Sequence, residues 1–424
     1  MKNSKLKLKG FRDILPDETA AWQRVEEAVN DVFGRYGYQS VRLPILEQTA
    51  LFKRSIGETT DIVEKEMYTF EDRGGDLVTL RPEGTASAVR AYVENSFANQ
   101  SIKARWFYNG PMFRRERHQK GRYRQFYQIG AECFGWAAPG ADADLLAMLW
   151  NLFATLGLSD RVSLEINSLG CPDDRAAYVK ELAEYLRPLA HELCENCQRR
   201  IERNPLRVLD CKSKHCQQKT ADAPTLDKAL CGECKDHYTE VRSLLDGQGV
   251  VYTLNPRMVR GLDYYNRTAF ELITGDIGAQ NAVAAGGRYD GLVKTLGGPE
   301  VPALGFAIGV DRLVMMMSDE AKEQPKPQAC FVYNGEDAFR VAMSLRAQML
   351  SKGIRADIDY QQRSFKAQFR NADAMGARYA VVIAQSEVAD STATLKDLSN
   401  GEQWTLPHDE AISKILATGN QTDA

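Results

Sequence analysis

Long apolar runs are missing from this chain. Nothing in its 424 residues approaches the roughly 20 consecutive apolar residues that a membrane helix needs. The opening stretch, MKNSKLKLKGFRDILPDE, is basic but carries no apolar segment, which excludes a secretory signal and sets the expectation of a cytoplasmic protein. Net charge is also small. At −3 it argues neither for nor against a nucleic-acid partner, so that question rests on local patches. No internal repeat is evident, and the glycine motifs do not fit a dinucleotide fingerprint.

What is present describes an ordinary globular chain, 44% hydrophobic and 26% charged, long enough for two or three domains. Nine cysteines occur, six of them between positions 194 and 234. In a cytosolic chain such a cluster suggests metal ligands or free thiols rather than disulfides.

The most informative stretch runs from Ala104 to Gly135. RWFYNGPMFR and YRQFYQIGAECF carry the aromatics that favour strands, and RERHQKGRY supplies the turn. Such a hairpin gathers Arg114, Arg115, Glu116, Arg117, Lys120, Arg122 and Arg124 beside Tyr123 and Phe126. Arginine forks grip phosphate oxygens, and flat rings stack on bases.

Around it, LPDETAAWQRVEEAVNDVFGRYGY places Trp22, Val25, Val29, Val32 and Phe33 on one helical face, with Gly34 and Gly37 ending the helix. QSVRLPILEQ reads as a strand that Pro44 marks as an edge or a break. MYTFEDRGGDLVTL reads as a hairpin, and Pro82 and Thr85 open a helix with Glu83 at its start. An amphipathic helix spans 142–158, and RVSLEINSLG is a strand. From Cys171 the sequence turns polar and helical until about Gly249, then becomes strand-rich again. EAKEQPKPQ is a charged linker, and beyond it strands and helices alternate, closing on a hairpin at Asn400-Gly401 and a last helix.

FRRER, GRYRQF and QIGAE together resemble motif 2 of the class II aminoacyl-tRNA synthetases, in the version of the histidyl-tRNA synthetases. The helix and proline-bearing strand near the N-terminus resemble motif 1, which builds that family's dimer interface. Val259 to Thr268, VRGLDYYNRT, resembles the signature of the histidine enzymes. GFAIGVDRL from Gly305 looks like motif 3, with Asp311 where the family more often has glutamate. In Ala284–Gly291 (AAGGRYDG), paired glycines would let a backbone approach a ligand closely. His118 and Tyr127 also depart from the family's usual motif 2 residues.

The resemblance implies an α+β fold: a class II antiparallel-sheet catalytic domain with a helical insertion, plus a C-terminal α/β mixed-sheet domain. The expected boundaries are 1–171 and 255–322 for the catalytic core, 172–254 for the insertion, and 326–424 for an anticodon-binding domain. It implies a homodimer that joins histidine to tRNA(His) through histidyl-adenylate, using ATP and Mg²⁺. Arg114, Arg260 and Arg312 are the expected catalytic cations. Arg114, Glu116, Phe126 and Arg312 are expected at ATP. Glu83, Thr85, Gln128, Glu132, Tyr264 and Tyr265 are expected at histidine, with Glu132 and Tyr265 discriminating the imidazole. Arg117, Lys120 and Arg122 are candidates for the tRNA acceptor stem.

Two pairs, Cys194-x-x-Cys197 and Cys231-x-x-Cys234, have zinc-ribbon spacing, although the resemblance implies no metal in this module. A non-catalytic relative, the synthetase-like regulatory subunit of ATP phosphoribosyltransferase, would share the fold but lack the C-terminal domain. A synthetase for proline or threonine would lack RGLDYYNRT.

Overall fold

The structure is a computed structural model that describes all residues except 1–5, 58, 59, 61, 117–120, 260, 261, 263, 277–280, 319–321 and 420–424. The chain divides into two units, Met1–Glu323 and Gln324–Ala424.

In the first unit, α1 (Pro16–Arg35) buries Trp22, Val25, Val29, Val32 and Phe33, the face its apolar spacing marks. Gly34 stays inside this helix, and the chain turns at Gly37, whose φ of +77° suits glycine. The strand expected over QSVRLPILEQ is broken into β1 (Gln39–Ser40) and β2 (Leu46–Gln48). Pro44 lies between them, where it has no N–H to give a ladder. Helix α2 (Thr49–Ile56) follows, then the hairpin β3 (Tyr68–Glu71) and β4 (Leu77–Leu80), and helix α3 (Thr85–Glu94). The long pair β5 (Ala104–Phe113) and β6 (Gln125–Phe134) leads to α4 (Pro139–Thr155) and β7 (Ser163–Ser168).

A run of helices comes next: α5 (Pro172–Leu186), α6 (Glu195–Arg203), α7 (Leu206–Leu209), α8 (Lys214–Lys219) and α9 (Gly232–Gly247). Strands β8 (Tyr252–Leu254), β9 (Asn266–Ile273) and β10 (Ala282–Arg288) return the chain to the sheet. Helix α10 (Leu292–Thr295), β11 (Ala303–Gly309) and α11 (Val310–Met316) complete the unit.

The main sheet has the order β1-β5-β6-β11-β10-β9-β7-β8. All its pairings are antiparallel except β1 with β5 and β7 with β8. Alternation along the strands sends side chains to opposite faces. Phe107, Ile129 and Ala131 pack against α1 and α4, whereas Trp106 and Tyr108 join a second core with α3 and the helical run.

The second unit is a five-stranded mixed sheet. β12 (Ala329–Tyr333) lies between β13 (Ala356–Ile358) and β14 (Tyr379–Ile383), all parallel, and β15 (Thr392–Asp397) and β16 (Gln403–Pro407) extend it antiparallel. Its helices are α12 (Glu336–Ser351), α13 (Phe365–Ala374), α14 (Gln385–Asp390) and α15 (His408–Gly419). It has its own core, centred on Phe331, Tyr333, Leu345, Val381 and Ile412. The α+β fold expected from the resemblance is therefore present, with a mixed α/β sheet at the C-terminal end.

Candidate active site

One carboxylate is wholly enclosed at the centre of the main sheet. Glu132, on β6, is fully buried and accepts hydrogen bonds from three hydroxyls. Thr85 donates to its Oε1 at 2.8 Å, Tyr108 to the same oxygen at 2.9 Å, and Tyr289 to Oε2. Burial pushes the Glu132 carboxyl up to about 8, while the three hydroxyls pull the other way. Tyr108 reaches it because Gly84 and Gly130 leave its ring room: a Cβ on either would fall 2.2 Å from that ring.

Glu83 lies beside this group. Its two oxygens accept the backbone N–H groups of Thr85 and Ala86 at 2.7 and 2.9 Å, capping the positive end of α3. Burial raises its pKa, and the two N–H groups and Arg114 counter this. The Tyr264 and Tyr265 rings lie 4.6 Å apart, tilted by 47°, and the Tyr264 ring meets Tyr289 edge-on at 5.6 Å. The Tyr264 hydroxyl is raised well above its ordinary range, first by burial and then by Tyr265, Glu83 and Glu132. Gln128 presents a buried Oε1 that has no hydrogen-bond partner among the described residues. Thus Glu83, Thr85, Glu132 and Tyr264 converge. Thr85, expected to be available to a ligand, spends its hydroxyl on Glu132, and Glu83 keeps only its remaining lone pairs.

Gln128 also lines an open cleft of about 660 Å³. Arg114, Glu116, Arg122, Phe126 and Arg312 share that lining. Arg114 is fixed by its Nε–H to the Pro82 carbonyl at 2.8 Å, and its guanidinium lies over the Phe126 ring at 5.4 Å. Arg122 sits 2.9 Å from Glu116 Oε2, an ion pair without the alignment of a hydrogen bond. The Arg312 pKa is lowered by burial first and then by Arg122, with Arg114 also contributing. Three mutually repelling guanidiniums on one cleft make an anion site. Arg117, Lys120 and Arg260 lie outside the described residues.

Asp311 binds the pieces together. It accepts from Arg12 at 3.0 Å and from the Tyr127 backbone N–H at 3.0 Å, joining the N-terminal segment, β6 and α11. The paired glycines of AAGGRYDG meet neighbouring backbone closely. A Cβ on Gly286 would lie 2.2 Å from the Gly305 carbonyl, and one on Gly287 2.5 Å from that of Thr268. They allow neighbouring strands to close up. Arg288 in the same stretch is fully buried on Asp142, Asp290 and the Trp136 carbonyl, so its work is structural.

Two participants escaped the sequence reading. Tyr108 looks like strand core and Tyr289 like a turn residue just past β10, and only the folded sheet, which brings both beside Glu132, reveals their hydroxyls as donors. The cysteine pairs also differ from expectation. Cys194, Cys197, Cys231 and Cys234 do not form one site. Cys194 and Cys197 gather with Cys211 and Cys216, whereas Cys231 and Cys234 gather with Cys171 and Asp174. The cause is local, since each CxxC opens a different helix, α6 or α9.

A main sheet of this order, with an arginine-bearing hairpin and a glycine-bearing strand running into a helix, is the catalytic architecture of a class II aminoacyl-tRNA synthetase. The histidyl-tRNA synthetase family model matches residues 10–313, and an anticodon-binding domain model matches residues 328–418. A histidine–tRNA ligase of Geobacter sulfurreducens is 50% identical over 400 residues, covering 94% of this chain and 96% of the relative. One from Maridesulfovibrio salexigens is 49% identical over 407 residues, covering 95% and 98%. The apo histidyl-tRNA synthetase of S. aureus superposes with a TM-score of 0.81 at 35% identity, covering 97% of this chain and all of the other. A Bacillus halodurans protein described as an ATP phosphoribosyltransferase regulatory subunit/histidyl-tRNA synthetase shares the fold, with a TM-score of 0.65 at 19% identity, covering 91% of this chain and 99% of the other. This chain belongs to the histidyl-tRNA synthetase family.

Proposed function

We propose that the Glu132 pocket takes histidine and that the arginine-lined cleft takes ATP, so that the chain works as a histidine–tRNA ligase. The observation that carries this reading is the buried Glu132, ringed by three hydroxyls close to Glu83 and Tyr264. An imidazole offers one N–H and one lone pair, and a fixed carboxylate among rotatable hydroxyls can answer both. Glu83 and Gln128 are left to hold the α-amino group.

In the first step an oxygen of histidine's carboxylate attacks the α-phosphorus of ATP, the bond to the β-phosphate oxygen breaks, and pyrophosphate leaves. The nucleophile is already ionised, so positioning and nearby cations do the catalysis. Arg114, fixed by Pro82, meets the α-phosphate together with Arg260. Arg312 meets the far phosphates. Phe126, with Arg114 over its ring, stacks on adenine, and Glu116 accepts from the adenine amino group.

Mg²⁺ supplies charge neutralisation at the phosphates. Among the described residues, no three His, Cys, Asp or Glu ligand atoms converge in the cleft, so these residues fit an ion carried mainly by phosphate and water. Glu271, one of the carboxylates lining the cleft, would contribute an oxygen. In the second step a terminal ribose hydroxyl of tRNA(His) attacks the histidyl carbonyl and AMP leaves. Arg117, Lys120 and Arg122 meet the acceptor stem, residues 326–424 meet the anticodon, and residues 172–254 form an inserted module. Two chains pair through the motif 1 region.

The test is exchange of labelled pyrophosphate into ATP with single amino acids. Histidine should support exchange, and proline and threonine should not. Exchange that does not need histidine would remove the assignment.

A further inference from the structure

The helical run between β7 and β8 holds two four-ligand clusters that the ligase reaction does not use. We propose that residues 171–234 bind two zinc ions, one on Cys194, Cys197, Cys211 and Cys216, the other on Cys171, Asp174, Cys231 and Cys234.

In each set the ligand atoms all lie within 4.8 Å of one another. Zinc–sulfur bonds of about 2.3 Å in a tetrahedron separate neighbouring sulfurs by about 3.8 Å. The Sγ atoms of Cys194 and Cys211 stand 3.9 Å apart. That is close to the tetrahedral spacing and far from the roughly 2.05 Å of a disulfide. Backbone placement repeats at three helix starts. Cys194, Cys231 and Cys171 are the N-caps of α6, α9 and α5. Cys197, Cys234 and Asp174 stand three residues further on, so each pair projects from the positive end of its helix, where a thiolate is favoured. The second set also spans two helices. Asp174, opening α5, accepts the Cys231 backbone N–H at 3.0 Å, which brings the starts of α5 and α9 together.

Helices α7 and α8 are four and six residues long, too short to persist without tertiary support. Cys211 lies in the loop between them and Cys216 in α8, and an ion there would clasp both to the start of α6. The clasp also reaches the cleft: Asp210, Lys212 and Gln217, the chain neighbours of these two cysteines, line it. Gln217 donates to the Cys211 carbonyl at 3.0 Å. The proposal stands independently of the ligase reading.

The experiment is metal analysis of the full chain, purified under reduction, reloaded with zinc and desalted, with Cys211→Ser and Cys231→Ser alongside. Two zinc ions per chain are expected, falling to one in each variant. Cobalt in place of zinc should give the strong visible bands of tetrahedral cobalt thiolate. Because a serine variant can fail to fold, the unmodified chain is also titrated with a thiol reagent while folded. Metal should mask Cys171, Cys194, Cys231 and their partners, and a chelator should expose them. A folded chain with no bound zinc, or with these cysteines joined as disulfides, would overturn the proposal. One ion lost only on Cys211→Ser would remove the second site.

Discussion

Gly305 and Glu132 face each other across β11 and β6, and a Cβ on Gly305 would fall 1.8 Å from Glu132 Oε2. The glycine therefore makes the space the carboxylate occupies. Gly305→Ala should push Glu132 off its three hydroxyls at an overpacking cost of about 1–3 kcal/mol. The expected outcome is a lower melting temperature and a raised KM for histidine in the exchange assay, with the KM for ATP little changed. Equal effects on both substrates would detach Glu132 from histidine.

Tyr289→Phe removes one donor from a fully buried carboxylate. Losing a partner of this kind costs about 1–3 kcal/mol. Histidine affinity should drop by a corresponding factor of roughly 5 to 150, because the remaining hydroxyls no longer fix the carboxylate. Isothermal titration with histidine alone reads this directly. Unchanged affinity would show that Tyr289 is only packing.

The pH dependence follows from the same group. Glu132 sits near about 8 through burial, and a free imidazole titrates near about 6.5. Between those values ligand and site together carry one proton, the number one hydrogen-bonded pair needs. Below that window a proton must leave on binding, and above it one must be taken up. The KM for histidine should be lowest between about 6.5 and 8 and rise on both sides by up to tenfold per pH unit. For stability the sign is that of a raised carboxyl. The contribution is fully present below the unfolded value of about 4.3 and is lost as pH rises through about 8. Thermal melts of Glu132→Gln against pH should lack that slope. A flat histidine profile would contradict the shared proton.

The catalytic frame was legible in the sequence because its signals are local. Alternating aromatics set β5 and β6, and Pro44 and Gly37 mark a break and a turn. Pocket partners brought together by the folded sheet were not. Tyr108 and Tyr289 lie 181 positions apart in sequence yet close on one carboxylate. The cysteines failed similarly: spacing finds the pairs, but only the packing of α5 against α9 shows which pair meets which. Asp311 in place of glutamate is accommodated by Arg12 and the Tyr127 N–H, neither visible in motif 3 alone.

The second unit carries its own core and matches an anticodon-binding model. A chain ending at Asp319 should keep histidine-dependent pyrophosphate exchange and lose most tRNA charging. Full charging by the shortened chain would remove the anticodon role from residues 326–424.

Glu132→Gln, followed by pyrophosphate exchange with histidine and ATP varied separately, tests the histidine pocket most directly. The variant should remain folded, since the amide has nearly the carboxyl's shape and, like the protonated carboxyl, brings no charge into the pocket. Its kcat/KM for histidine should drop by about 100-fold, the scale of a lost buried bond to a charged group, while the KM for ATP stays near its original value. An unchanged histidine constant, or a loss confined to ATP, would contradict the account.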